Sequence, residues 1–149
     1  MSIKKQYQDY HLQLLQDKMD AFSDMIEALA AGEQTDAKSS AGDKHETAVS
    51  MAQLEQERIN KQLALLQQQY LRLKAIDATA VHQRVGLGSL VFLNSFKIFI
   101  GVSLPKTEVQ GHQIIGISPE TPIGEAVLGK QAGDTFSVNG VSYQILELF

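Results

Sequence analysis

Asp43 and Glu46 are the residues of this chain whose types and spacing best suit chemistry. They are two carboxylates three positions apart in Gly42-Asp43-Lys44-His45-Glu46-Thr47, where one heptad pattern stops and a second begins. Two uses compete for them. If Asp43 caps the second helix, Glu46 falls at its N3 position, and the pair forms an Asp-x-x-Glu capping box. A carboxylate in a first helical turn is favoured by the helix dipole by ~0.3–1 kcal/mol, so capping alone can account for both. The other use follows from position, because an acidic tip on a long rod can be delivered into a deep, narrow site.

Other chemistry is poorly provided for. Cysteine is absent, which excludes disulfides, thiolate catalysis and thiolate zinc sites. His11, His45, His82 and His112 show no metal-ligand spacing. Ser118 and Ser142 lack a nucleophile-elbow context. Gly86-Leu87-Gly88-Ser89 leads toward a strand and lacks the lysine and helix of a phosphate loop, so it reads as a turn. Phe92, Phe96 and Phe99 could form a stacking surface for single-stranded nucleic acid, but without basic interleaving they fit core and sheet faces better. The net charge of −4 argues against a general nucleic-acid binder, whose affinity comes from phosphate neutralisation.

The elements that must position the acidic pair are helical. Leu12, Leu15, Met19, Phe22, Ile26 and Leu29 recur at spacings of three and four, and Ile59, Leu63, Leu66, Tyr70 and Leu73 form the returning series. The first helix runs from about Lys4 to the region Thr35–Ser40. Glu33 and Asp36 occupy the positions that would continue its seam, which makes the distal seam polar. Ser39, Ser40, Gly42 and Asp43 supply turn and cap chemistry. A coil of ~38 residues at ~1.5 Å per residue extends ~57 Å.

Composition changes near Asp77-Ala78-Thr79. Residues 1–78 contain no proline, and residues 79–149 hold all three prolines and most of the glycines. The division is therefore 1–78, a coiled-coil hairpin with its acidic tip near 40–47, and 79–149, a small β-rich domain. In the second part Ser89–Asn94, Phe96–Val102, Gln113–Ile117, Thr135–Val138 and Val141–Leu146 read as strands, with Asn139-Gly140 as a hairpin turn. Thr121 as cap, Pro122 at the first position and Gly129 as terminator define one short helix. The expected fold is α+β, an antiparallel two-helix hairpin followed by an antiparallel sheet with one helix packed on it. No stretch approaches the ~18 apolar residues of a membrane span, and Met1–Tyr10 does not read as a signal peptide. The expectation is a cytoplasmic protein with no membrane partner.

Two segments carry a resemblance. Ala41-Gly42-Asp43-Lys44-His45-Glu46-Thr47-Ala48 is similar to a Gly-Asp-x-x-Glu-Asn-Ala pattern, with Thr47 in place of Asn. The run from Ile117 through Ser118, Pro119, Glu120, Thr121, Pro122, Ile123, Gly124, Glu125, Ala126, Val127, Leu128, Gly129, Lys130, Gln131, Ala132 and Gly133 to Asp134 resembles Ile-Ser-x-x-(Ser/Thr)-Pro-(Ile/Leu)-(Gly/Ala)-x-Ala-(Leu/Ile)-(Leu/Ile)-Gly-Lys-x-x-Gly-Asp. Both patterns are those of the Gre family of bacterial transcript cleavage factors, of GreA/GreB type.

The resemblance implies an FKBP-like C-terminal domain that docks at the rim of the secondary channel of bacterial RNA polymerase, with the coil inserted in the channel. It implies a transcription elongation factor, monomeric and without enzymatic activity of its own. The roles expected of it are transcription regulation, RNA polymerase binding and DNA binding. Asp43 and Glu46 would act as accessory catalytic carboxylates on backtracked RNA in the elongation complex. They would help to hold a Mg2+ shared with the polymerase, the protein having no cofactor of its own. Hard carboxylate oxygens suit that ion, and two of them make only part of a site.

Other readings stay open. One is a secondary-channel-binding regulator or inhibitor without cleavage stimulation. A second is prolyl isomerisation by residues 79–149, and a third is self-association through Leu54, Leu65 and Leu71. The exposed part of Ser118–Gly129, with Glu120 and Glu125, together with apolar residues of the sheet, is the expected polymerase-docking surface.

Overall fold

The computed structural model describes the backbone of residues 2–36 and 43–149 and the side chains of 2–31, 47 and 49–149. Two long helices come first, α1 (Ile3–Asp36) and α2 (Asp43–Lys74). The 34 and 32 residues of these helices correspond to ~51 and ~48 Å at 1.5 Å per residue. The turn expected at Ser39, Ser40 and Gly42 lies outside the described residues, as do the side chains of Glu33 and Asp36. Six strands follow: β1 (Leu90–Leu93), β2 (Lys97–Ile100), β3 (Leu104–Val109), β4 (His112–Ile117), β5 (Thr135–Val138) and β6 (Val141–Leu148). The short helix α3 (Pro122–Val127) lies between β4 and β5. The fold is α+β. Among the described residues no helix is long and apolar enough to cross a membrane.

The sheet order is β3-β4-β2-β1-β6-β5. Four of its pairings are antiparallel, as expected, but β2 pairs with β4 in parallel, with Lys97 opposite Ile114 and Ile100 opposite Ile117. The fully antiparallel sheet is thus corrected to a mixed one, and the cause is β3. Its sequence, Leu-Pro-Lys-Thr-Glu-Val, carries a proline and three polar residues and does not read as a strand. An edge position tolerates them, because only one side of its backbone must pair. As a hairpin partner, β3 brings β4 back beside β2 in the same direction. The β5–β6 turn is as read: Asn139 and Gly140 both have positive φ, 52° and 78°.

By packing, one compact unit comprises Met1–Leu12 with Leu71–Phe149, and a second comprises Gln13–Tyr70. The division near residue 78 is one of composition; the units are defined by contacts. In the second unit Leu15, Met19 and Ile59 are buried, and Phe22 and Met25 of α1 line a groove with Leu65 and Leu66 of α2. The heptad positions therefore face one another across the hairpin.

The first unit has a core on each face of its sheet. On one face Val91, Leu93, Ile98, Ile100 and Ile145 pack with Phe136 and with Val127 of α3. On the other, Tyr7 of α1 lies over Phe99 with ring centroids 4.8 Å apart, and both side chains are fully buried. Glycines permit the close approach. A Cβ on Gly116 would stand 2.4 Å from Val102 O and 2.7 Å from the Tyr7 hydroxyl, and one on Gly101 would stand 2.7 Å from Ile76 Cδ1.

Three buried polar residues of α1 hold this base together. Gln8 Nε2 donates to Leu73 O at 2.9 Å and Ile76 O at 2.7 Å. Lys4 Nζ donates to Ala80 O at 2.9 Å, and burial lowers its pKa against the opposing pull of Asp77. His11 Nε2 lies 3.0 Å from Thr107 Oγ1. The last carbonyls of a helix have no partner within it, and Gln8 supplies one across 65 residues of chain. Arg72, in the last turn of α2, pairs with Glu120 at 2.5 Å, and Ser118 Oγ also bonds that carboxylate.

Two outcomes are expected. Gln8→Ala strands Ile76 O in a dry site and leaves Leu73 O with only the Ile76 N–H, and should lower stability by about 1–3 kcal/mol, measured as a shift in urea midpoint; an unchanged midpoint would contradict the role given to Gln8. For Glu120, the bond from Arg72 and then that from Ser118 hold the carboxyl at about 2, below its ordinary 4.5. A depressed carboxyl contributes stability that is complete above the unfolded value and is lost as pH falls toward the folded one. Between pH 4.5 and 2, stability should therefore fall less steeply in Glu120→Gln than in the parent, as read by urea melts across that range.

Candidate functional site

The backbone places Asp43 as the first residue of α2 and Glu46 in its first turn. Both positions thus lie at the helix end where aligned peptide dipoles favour negative charge. Their side chains, and with them the capping box, lie outside the described residues, as does His45. Thr47, next in the motif, is exposed. Two carboxylates offer hard oxygen donors of the kind Mg2+ accepts, but fewer than a complete shell. Among the described residues no three His, Cys, Asp or Glu side chains come together as a metal site. The donor chemistry fits Mg2+ as part of a larger shell.

The other histidines have separate structural settings. His11 packs against Tyr7, with centroids 4.6 Å apart. His82 Nδ1 lies 2.7 Å from Ser89 Oγ, which also accepts from Gly86 N–H at 2.9 Å. Burial and then the Lys4 charge lower the His82 pKa, while Asp77 raises it. Ser89 is fully buried, so this Ser–His pair closes the turn Gly86-Leu87-Gly88-Ser89 and offers no reachable nucleophile. His112 contacts Lys97.

The second motif segment builds a rigid corner of the first unit. Thr121 Oγ1 accepts from Gly124 N–H at 3.1 Å and donates to Ser118 O at 2.8 Å, capping α3, with Pro122 at its start. Gly124 is required sterically, since a Cβ there would lie 2.1 Å from Ser118 O. Gly129, at φ +78°, leaves the helix and donates to Val85 O, while Val85 donates to Lys130 O, both at 2.8 Å. The cap, first-turn proline and terminating glycine stand where the sequence put them.

Beside this corner runs an open, mainly apolar groove of about 340 Å³, lined by Ile117, Pro122, Ile123, Val138, Val141 and Tyr143 among others. Its floor is firm: Tyr143 stacks on Phe136 at 5.3 Å and meets the edge of Phe96 at 5.7 Å. Val141, on the rim, is 50% exposed. Of the two acids expected on this surface, Glu125 is exposed, whereas Glu120 is taken up by Arg72 and Ser118. Apolar residues of the sheet were expected beside this segment, but the strands that supply them, β5 and β6, were not specified. The pattern shows which residues of a strand share a face, but not which strand comes to lie beside α3.

Gln8 was missed as well. It stands four positions before Leu12, in step with the seam, and that spacing is the one signal that could have marked it. A polar residue in phase with an apolar series is a candidate for a buried hydrogen bond.

No family model matches the sequence, and no curated protein matches it. Among solved structures the chain is similar to that of the transcription factor Gfh1, at 19% identity over 92% of each chain and with a TM-score of 0.36. Similarity this slight carries no functional assignment, which has to come from this chain's own residues.

Proposed function

We propose that this protein is an accessory transcription elongation factor of the bacterial cytoplasm. In this reading it binds RNA polymerase, inserts its helical hairpin into the secondary channel and stimulates the polymerase's own cleavage of backtracked RNA. The observation that carries the reading is the start of α2 at Asp43, which sets the acidic motif at the head of a 32-residue helix. The second motif supports it, since Ser118–Gly129 forms a rigid corner beside an exposed apolar groove.

The division of labour follows from what each part lacks. Hydrolysis of a phosphodiester requires charge neutralisation at the phosphate and an oriented water. Asp43 and Glu46 contribute oxygen ligands and negative charge, and the polymerase contributes the other ligands. A Mg2+ held between them would supply charge neutralisation and water activation. The helix start restrains both backbone positions, which limits the freedom lost when the carboxylates meet the active centre. Alone, the factor is inert. Its groove takes an apolar side chain of the polymerase, and the Tyr143–Phe136 stack holds the groove's shape before binding.

Two experiments test this. In a stalled, backtracked elongation complex with Mg2+, the chain should accelerate RNA release, and Asp43→Ala/Glu46→Ala should lower that rate at least about tenfold, the loss typical of a disturbed metal shell. Polymerase binding with no acceleration would instead make the chain a channel-occupying regulator. Separately, Val141→Asp should weaken polymerase affinity by about fivefold or more, because a charge at a desolvated apolar contact costs ~1 kcal/mol or above. An unchanged dissociation constant would remove the groove from the interface.

A further inference from the structure

The three phenylalanines that suggested a stacking surface have separate fates. Phe99 is fully buried beneath Tyr7, and Phe96 packs against Tyr143 beside the core. Phe92 is half-buried and stands opposite Lys97 in the β1–β2 register. Lys97 Nζ sits 4.8 Å from the Phe92 ring centroid and 2.6 Å from His112 Nδ1. The His112 ring lies 5.1 Å from Phe92, and the ring of Phe149, which follows β6 and is 41% exposed, lies 5.2 Å from it. The basic interleaving that the sequence lacks is supplied by strand pairing.

From this arrangement we infer that Phe92, Phe149, Lys97 and His112 form a contact site for single-stranded nucleic acid, a base stacking on the rings and a phosphate meeting the Lys97 ammonium. The patch crosses the neighbouring strands β6, β1, β2 and β4, ~14 Å at the usual strand spacing, room for a base and its adjoining phosphates. Charge complementarity selects the occupant. Among the described residues no carboxylate forms an ion pair with Lys97, although the chain as a whole is acidic. An acidic peptide would satisfy the ammonium but leave the exposed Phe149 ring unused. Stacking on aromatic faces beside a cation is how strands are held without base readout. Glu147, opposite Phe92 in the register, places a carboxylate beside the rings and limits the affinity. The inference is independent of the acidic tip.

The test is fluorescence anisotropy of a labelled octameric oligo-adenylate RNA titrated with the full chain at low salt. Binding is expected, weakened about fivefold or more in Phe92→Ala, the lower end for loss of one stacked base. In Lys97→Gln the slope of log affinity against log salt should fall by about 0.7, one phosphate's worth for a single strand. Glu147→Gln should bind more tightly than the parent. Should Phe92→Ala fail to fold, the other two surface variants decide. Absence of binding, affinities unmoved by both Lys97→Gln and Glu147→Gln, or polyglutamate competing as well as unlabelled RNA would overturn the inference.

Discussion

The amide of Gln8, donating to Leu73 O and Ile76 O, is the contact on which the base of this protein depends. A helix that ends against a folded sheet must satisfy its last carbonyls away from water. Here the donor is a side chain of the other long helix, so satisfying α2 also fixes α1. Arg72 and Lys74 in the final turn of α2 favour the same helix end electrostatically. With that end held, Ile76 packs where Gly88 and Gly101 leave space, and Tyr7 closes over Phe99. A cavity or an unpaired carbonyl at this point would loosen the long helices and the sheet face together, because the residues that touch are shared.

Much of the fold was legible where the chemistry is local. The two apolar series marked both helices, Thr121, Pro122 and Gly129 marked the short one, and Asn139-Gly140 marked a hairpin, each through a rule acting within a few residues. Reading failed where a residue answers to a distant partner. Gln8, Lys4 and His11 look like solvated positions until Leu73, Ala80 and Thr107 are seen beside them. The strand β3 looks like a loop until its place at the sheet edge explains Pro105. Lys97 and Phe92 are five positions apart in sequence and become neighbours only through β1–β2 pairing.

The candidate site divides in the same way. The acidic pair was found by type and spacing, and the helix start at Asp43 agrees with the place the pattern gave it. The Ser118–Gly129 corner was read from its punctuating residues, but the groove beside it needed the β5–β6 hairpin to be in position. What joins the two is an absence of self-sufficiency. Two carboxylates by themselves offer fewer oxygens than a Mg2+ shell takes, and the groove is open and mainly apolar. Under the proposed function, both features would complete the site of a larger protein.

The absence of cysteine from the chain allows a direct measurement of where the tip goes. A single cysteine at Ser50, exposed about one turn beyond Glu46, can carry a short photo-crosslinker into the complex with the cognate RNA polymerase. The account expects the crosslink to map to polymerase residues lining the secondary channel near its active centre. A crosslink confined to the outer surface of the polymerase, from a chain that is bound, would contradict it.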